Sequence, residues 1–231
     1  MQARHSFSFG EHYDPANVRF GLLVASNDDV VAAGAGFDPH LHRDMEIVTW
    51  VLSGSLVHRD TKGHSGLIYP GLAQRMTAGT GIVHSETNDS WRVTGGESHA
   101  RPVRFVQMWV TPDAQSYAPS YQQAEVDDAR LREGLVPVAS GAPEHRTDAA
   151  VRIGQRHATF SVARMSAGQA VHLPAAVSVH LFVAVGELTL EGFGPLAEGD
   201  AARLSDASGE RVTATASCEI LVWELGAPRG S

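Results

Sequence analysis

The stretch FDPHLHRDMEIVTWVLSGSLVHRDTKGHSG (37–66), followed by MTAGTGIVHSE (76–86), decides how this sequence folds. It carries two couples of metal-capable side chains, His40-x-His42 and His84-x-Glu86. Residues two apart point to the same face of a β-strand, so each couple can aim both members to one side. If the two strands face each other across a barrel, they form a three-histidine, one-carboxylate pocket that suits a divalent transition metal.

The rest of the chain predicts an all-β protein with few, short helices. Several runs are rich in Val, Ile, Thr, Phe and Trp, and glycine-containing turns separate them at intervals typical of a sandwich or barrel. These runs are EIVTWVLSGSLVHRD (46–60), RFVQMWV (104–110), HATFSVARM (157–165), HLFVAVGELTLEG (180–192) and EILVWEL (219–225). The best helical candidate lies in EVDDARLREGL (125–135), where Gly134 is expected to end the helix.

A loose internal repeat predicts two copies of one β-barrel unit in tandem. VLSGSLVHRD (51–60) resembles VAVGELTLEG (183–192), and GLAQRMTAG (71–79) resembles GDAARLSDA (199–207). We therefore expect an N-terminal metal-binding barrel over residues 1–135 and a C-terminal barrel over residues 136–231. The Pro-, Ala- and Ser-rich segment 111–150 is interpreted as the connector between the copies.

The two copies differ in their metal-capable residues. The second copy contains His172, His180 and Glu187, but no H-x-H or H-x-E couple that would place two ligands on one face. We therefore expect the C-terminal barrel to lack a metal.

Composition excludes several classes of function. The 231-residue chain has a formal net charge of -8, and no Lys/Arg-rich run, which argues against direct binding to nucleic acid. A single cysteine, Cys218, excludes an internal disulfide and fits a reducing compartment. No secretory signal or apolar membrane span is visible, so we expect a cytoplasmic protein.

Two spaced motifs resemble those of the cupin superfamily. The first is Gly34-x5-His40-x-His42-x3-Glu46-x7-Gly54, and the second is Gly71-x5-Thr77-x-Gly79-x4-His84-x3-Asn88. The second departs from the usual motif by a Thr in place of proline and by two extra residues before the histidine. The amino-acid sequences of the stretches 37–66 and 76–86, together with HSFSFGEHYDP (5–15), resemble those of the pirin family, a branch of bicupins. Within that family the chain looks most like bacterial members described as quercetin 2,3-dioxygenases.

The resemblance implies one metal site in the first of two cupin barrels. By that resemblance the ligands are His40, His42, His84 and Glu86. Glu46 remains an alternative, because the first-motif glutamate is a ligand in many cupins and shares strand parity with the two histidines of its motif. It is either a direct ligand or a hydrogen-bond partner of a ligand histidine. His58 is either a cavity residue or an ordinary buried histidine.

The resemblance also implies three alternative functions. The first is a dioxygenase that cleaves a flavonol with dioxygen, in which Glu86 is the catalytic residue, as ligand or as nearby base. The second is a non-enzymatic, iron-binding redox sensor that binds protein partners. The third is another metal-cupin enzyme, an isomerase or a decarboxylase. The expected cofactor is one divalent metal, iron in the first place, with nickel, cobalt, manganese, copper or zinc as alternatives.

Overall fold

The runs rich in β-branched and aromatic residues form strands in the computed structural model, which describes residues 2–226. Helices are short: α1 (Trp91–Thr94), α2 (Asp128–Glu133) and a single 3-10 turn at Pro143–His145. The second of these lies within the predicted helical segment, where the Asp127 carboxylate accepts a hydrogen bond from the Ala129 N–H at its start. No helix within residues 2–226 has the length and apolar character needed to cross a membrane.

The N-terminal half consists of a six-stranded sheet and a four-stranded sheet, with strands numbered along the chain. The large sheet has the spatial order β1 (Gln2–His5), β2 (Leu23–Val31), β9 (Val103–Val110), β4 (Glu46–Ser53), β7 (Leu72–Thr77) and β10 (Ser120–Glu125). The small sheet has the order β3 (Gly36–His42), β8 (Ile82–Thr87), β5 (Leu56–Asp60) and β6 (Ser65–Ile68).

The C-terminal half repeats this arrangement. Its large sheet has the order β12 (Val151–Arg152), β11 (Val136–Ser140), β13 (Ala158–Met165), β20 (Cys218–Leu225), β15 (Ala175–Val185) and β18 (Ala201–Ser208). Its small sheet has the order β14 (Ala170–His172), β19 (Arg211–Ala214), β16 (Glu187–Leu190) and β17 (Gly194–Ala197). The order β2-β9-β4-β7 thus corresponds to β13-β20-β15-β18, and β3-β8-β5-β6 corresponds to β14-β19-β16-β17.

The tandem two-cupin plan predicted from the sequence is therefore confirmed. Each half pairs a large with a small sheet instead of closing into one continuous ring of strands. The glycines that the repeat aligns, Gly54 and Gly186, both adopt positive φ at the turn between β4 and β5 and between β15 and β16. A Cβ at either position would lie within 3 Å of backbone, so both the turn and the packing require glycine.

The interpretation of segment 111–150 as a plain connector is wrong. It supplies β10, which pairs with β7 of the N-terminal sheet, and β11, which pairs with β13 of the C-terminal sheet. β10 forms the edge of the N-terminal sheet, while β11 lies between β13 and the edge strand β12 in the C-terminal sheet. The boundary between the halves at residue 135 stays a prediction, although α2 lies between these two strands.

The two large sheets contribute to one shared hydrophobic core. Trp50 and Val106 of the N-terminal half belong to the same buried cluster as Phe160 and Trp223 of the C-terminal half. The indole N–H of Trp223 donates to Met108 Sδ at 3.1 Å, and the indole N–H of Trp50 donates to Glu219 Oε1 at 2.6 Å. The halves are therefore joined by buried apolar surface, which is the dominant stabilising contribution in folding.

The interiors of the two halves differ. The C-terminal half is filled by one continuous apolar cluster that includes Leu188, Leu190 and Val212 of its small sheet. The N-terminal half has two smaller apolar clusters, one around Val51 and Phe105 and one around Ile47, Met76 and Ile82. Its buried polar side chains include Thr49, His42, His58, Gln74, His84, Glu86 and Gln107. This polar set is what a functional site in the first half requires.

Candidate metal centre

Two neighbouring strands, β3 and β8, carry the predicted ligands. His40 lies directly opposite His84 in the antiparallel pairing of these strands, and Phe37 lies opposite Glu86. The strands are hydrogen-bonded neighbours in one sheet, so the expectation that they face each other across a barrel is wrong. Side chains opposite each other on one face of an antiparallel pair are close neighbours, so the two couples can still come together.

The alternation within β8 explains why both members of its couple point inward. His84 and Glu86 are 2% and 1% exposed. Val83, which precedes His84, and Ser85, which lies between the two, are only partly buried. Gly79 and Gly81 adopt positive φ in the turn that leads into this strand. A Cβ on Gly79 would meet the carbonyl oxygen of Tyr117 at 1.9 Å, so the close approach of that backbone also requires glycine.

Three histidines form a group of metal-binding size. One ring nitrogen from each of His40, His42 and His84 lies within 4.8 Å of the others. A second group of the same kind contains His58, His84 and Glu86. Glu86 is therefore linked to the three-histidine group through His84, and it is not in the group that contains His40 and His42.

The hydrogen bonds of these residues leave selected atoms free to bind a cation. His40 Nδ1 contacts the Asp38 carbonyl oxygen at 2.8 Å, which leaves its Nε2 as a lone-pair donor. His42 Nε2, His84 Nε2 and Glu86 Oε1 are buried and have no hydrogen-bond partner within residues 2–226. Buried polar atoms without partners are costly, and a divalent cation bound by the three-histidine group would satisfy the two imidazole nitrogens.

Burial sets the protonation of the histidines. It lowers the pKa of His42 to about 4 and that of His84 to about 2, with the neighbouring histidines adding to the effect. The rings are therefore neutral at physiological pH, as imidazole ligands must be. Burial also raises the pKa of Glu86 to about 7, while the hydrogen bond from Gln107 opposes that change and the Asp29 charge adds to it.

Two residues of the large sheet complete the site. Gln107 Nε2 donates to Glu86 Oε2 at 2.7 Å, and the Trp109 indole N–H donates to Gln107 Oε1 at 3.0 Å. The Trp109 ring also lies edge-on to His42, with 4.8 Å between centroids. Sequence reasoning missed both residues, although a glutamine inside the apolar run RFVQMWV is a signal for a buried polar role.

Glu46 lies elsewhere. It belongs to β4 of the large sheet and to neither metal-sized group, and its Oε2 accepts a hydrogen bond from the Thr77 hydroxyl at 2.9 Å. Burial raises the pKa of Glu46, against the lowering effects of the Gly154 backbone and the Thr77 hydroxyl. Its Oε1 lies beside Gly154, and the predicted ligand histidines are not among its side-chain hydrogen-bond partners within residues 2–226.

The histidines of the second half are apart from this site. His172 is exposed, and its Nδ1 contacts the Gly209 carbonyl oxygen at 3.0 Å. His180 is buried beside Phe7, and Glu187 is exposed at the start of β16. The absence of a metal from this half stays a prediction.

A cavity of about 350 Å³ opens over the centre. His40, Glu86 and Gln107 form part of its floor, and the aromatic rings of Phe9, Phe37 and Trp109 line it. The remaining lining residues are Ala3, His5, Gly10, Glu11, His12, Asn27 and Asp29. Its size and its mixture of aromatic walls with a few convergent polar groups are those of a small-molecule site.

Comparison with known proteins gives matches over both halves. Residues 1–110 match the family model described as Pirin, and residues 138–225 match the model described as Quercetinase C-terminal cupin domain. A Mycobacterium tuberculosis protein named "Putative quercetin 2,3-dioxygenase" is 55% identical over 100% of this chain and 90% of its own length. The quercetin 2,3-dioxygenase of Escherichia coli K12 is 32% identical over 97% of this chain and 91% of its own.

A solved structure extends the likeness to the fold. The bacterial pirin YhhW from Escherichia coli in complex with nickel(II) superposes with a TM-score of 0.84 and 30% identity, over 97% of this chain and 91% of that one. Identity at this level over nearly the full length, together with the match of the N-terminal half to the family model, leads to one conclusion: the chain belongs to the pirin family.

Proposed function

We propose that this protein is a metal-dependent oxygenase of the quercetin 2,3-dioxygenase type, which cleaves a flavonol with dioxygen. The observation that carries the proposal is the aromatic-lined cavity above the floor formed by His40, Glu86 and Gln107. Relatives with full-length similarity bear the name of this activity. Flat aromatic substrates suit a cavity with three aromatic walls, because ring faces and edges attract one another.

The proposed ligands are His40, His42, His84 and Glu86. The three imidazoles offer nitrogen lone pairs, and Glu86, which lines the cavity, has an Oε1 without a hydrogen-bond partner within residues 2–226. When bound, a divalent metal would act as a Lewis acid and orient the substrate oxygen. Imidazole suits iron, nickel, cobalt, copper and zinc alike, so the ligands do not select one of these metals. We propose iron in the first place, and nickel is the ion held by the related YhhW.

Glu86 is the proposed catalytic residue. Its Oε2 is held by Gln107, and its Oε1 has no hydrogen-bond partner within residues 2–226. That oxygen either binds the metal or, as a nearby base beside a three-histidine ion, accepts the proton of a flavonol enol hydroxyl. Loss of that proton makes the ring electron-rich, which prepares it for attack by dioxygen and loss of carbon monoxide. The burial of His42, His84 and Glu86 keeps bulk water away from these side chains, so the Glu86 carboxylate acts in a medium of low dielectric constant.

Oxygen uptake tests the proposal. Purified protein is stripped of metal, loaded in turn with iron, nickel, cobalt, manganese and copper, and mixed with quercetin in an oxygen-electrode cell with carbon monoxide detection. We expect uptake of oxygen and release of carbon monoxide with at least one metal, and loss of both in His42→Ala. The surface variant His145→Gln is the control. No uptake with any of the five metals would contradict the proposal and favour the regulatory alternative.

A further inference from the structure

His58 and Asp60 are buried beside the proposed metal centre, although no cupin motif includes them. Both lie on β5, which pairs with the ligand strand β8 so that His58 is opposite Glu86 and Asp60 is opposite His84. The side chains of His58 and Asp60 are both fully buried. A buried histidine next to a buried carboxylate needs an explanation, because each is costly alone.

A chain of hydrogen bonds connects these residues to His84. Asp60 Oδ2 lies 3.1 Å from His58 Nε2, and His58 Nδ1 lies 3.2 Å from His84 Nδ1. Asp60 Oδ1 also accepts the backbone N–H groups of Lys62 and His64, at 2.8 and 3.1 Å. Burial alone would raise the pKa of Asp60, but the hydrogen bonds from His58 and His64 lower it, so the carboxylate is ionised.

This connectivity determines which ring nitrogens of His58 and His84 carry a proton. An ionised carboxylate only accepts, so His58 carries its proton on Nε2 and offers a lone pair at Nδ1. Two facing ring nitrogens can share a hydrogen bond only when one of them is protonated, so His84 Nδ1 is the donor. His84 Nε2 is then the lone pair, and it is the same atom that lacks a hydrogen-bond partner within residues 2–226.

The same connectivity chooses between two possible metal positions. The groups His40–His42–His84 and His58–His84–Glu86 share His84, and they differ in whether His58 is a ligand. On the second side both nitrogens of His58 already have partners, while on the first side His42 Nε2 and His84 Nε2 have none. The hydrogen bonds therefore favour the three-histidine side.

We propose that Asp60 and His58 form a hydrogen-bonded relay that holds the His84 ring in one tautomer and orientation, so that its Nε2 binds the metal. The inference rests on the proposed metal centre, and both members are positioning residues, not ligands. Tyr121 supports the relay, because its ring stacks on His58 at 4.6 Å and on His64 at 5.4 Å between centroids. Partners of this kind raise the basicity of a ligand histidine and fix its direction.

Metal affinity without substrate tests the relay. Nickel binding is measured by competition with a chelator for the wild type, His58→Phe, His58→Asn and the surface control His145→Gln, whose own pair with Asp148 is remote from the site. We expect His58→Phe to weaken binding by roughly 10- to 100-fold, the usual effect of losing such a partner. His58→Asn retains an acceptor near the Nδ1 position and should recover part of the loss, while His145→Gln should equal the wild type.

X-ray absorption of the nickel-loaded proteins provides the second readout. The relay predicts the same number of metal-bound imidazoles in the wild type and in His58→Asn. One imidazole fewer in the variant would make His58 a ligand and overturn the relay, as would unchanged affinity in His58→Phe. A wild type that binds no nickel would overturn the metal centre itself, whereas absence of flavonol turnover in a nickel-binding protein would leave the relay intact.

Discussion

His40 and His84 lie directly opposite each other on adjacent antiparallel strands, with ring centroids 4.5 Å apart. This cross-strand pairing brings the two couples of the sequence together within one sheet. A cation between them would be held by residues more than 40 positions apart in the chain, on strands that pair only in the folded state. Metal binding and folding of the N-terminal half should therefore be coupled.

Metal addition should raise the thermal stability of the wild type. A ligand that binds only the native state contributes about 4 kcal/mol when its free concentration is a thousand times its dissociation constant. Differential scanning calorimetry with and without nickel measures this gain, and in His42→Ala the gain should vanish. An equal rise in both proteins would mean that the ion binds elsewhere.

Gln107→Leu should weaken metal binding. The substitution removes the N–H that holds Glu86 Oε2, so the carboxylate loses its fixed orientation while the side-chain volume is nearly unchanged. We expect affinity to fall by about 10- to 100-fold in a chelator-competition titration. Trp109→Phe removes only the hydrogen bond to Gln107 Oε1 and should have the smaller effect. The reverse order of effects would count against an orienting role for Gln107.

Trp223→Ala should destabilise both halves together. Trp223 is 1% exposed in the core that the two large sheets share, where it packs against Phe160 and contacts Met108 Sδ. Truncation of a buried tryptophan costs about 3–5 kcal/mol. Urea unfolding, followed separately by far-UV circular dichroism and by tryptophan fluorescence, should show one shifted transition for both probes. Two separated unfolding transitions, of which the substitution shifts only one, would contradict a shared core.

Acid should destabilise the protein partly through His180. Burial, with Arg203 nearby, lowers the pKa of this histidine to about 3 from its ordinary value of 6.5. The folded pKa is depressed, so below pH 6.5 the unfolded chain binds a proton that the native state does not, and stability falls as the pH falls. The slope for one such group is at most about 1.4 kcal/mol per pH unit.

Comparison with His180→Leu isolates this contribution. Both proteins have the same metal site, so the difference between their unfolding free energies at pH 7, 6 and 5 reports His180 alone. We expect the wild type to lose more stability on acidification than the variant. Parallel curves would show that His180 does not titrate in this range.

Much of the fold follows from patterns that act over short distances. The repeat around Gly54 and Gly186 predicts the tandem plan because the same turn requires glycine in both halves. The H-x-H and H-x-E couples identify side chains of one face because strand geometry has a period of two. The site residues His40, His42 and His84 come together as the motif spacing suggests, while their role as ligands stays a proposal.

Other features depend on pairings that local patterns do not contain. The placement of β3 beside β8, and not across from it, is set by long-range strand register. Gln107 and Asp60 reach the site from strands outside the ligand motifs, and only their three-dimensional neighbours reveal them. The incorporation of segment 111–150 into both large sheets likewise depends on long-range strand pairing, which composition does not show.

Metal content tests the central claim most directly. The protein is purified without a chelating tag and compared with His42→Ala and Glu86→Ala by elemental analysis after loading with nickel and desalting. The account predicts about one metal per chain in the wild type and almost none in His42→Ala, because loss of one of three imidazoles leaves too few ligands to retain the ion. Equal metal content in the wild type and in His42→Ala would contradict it.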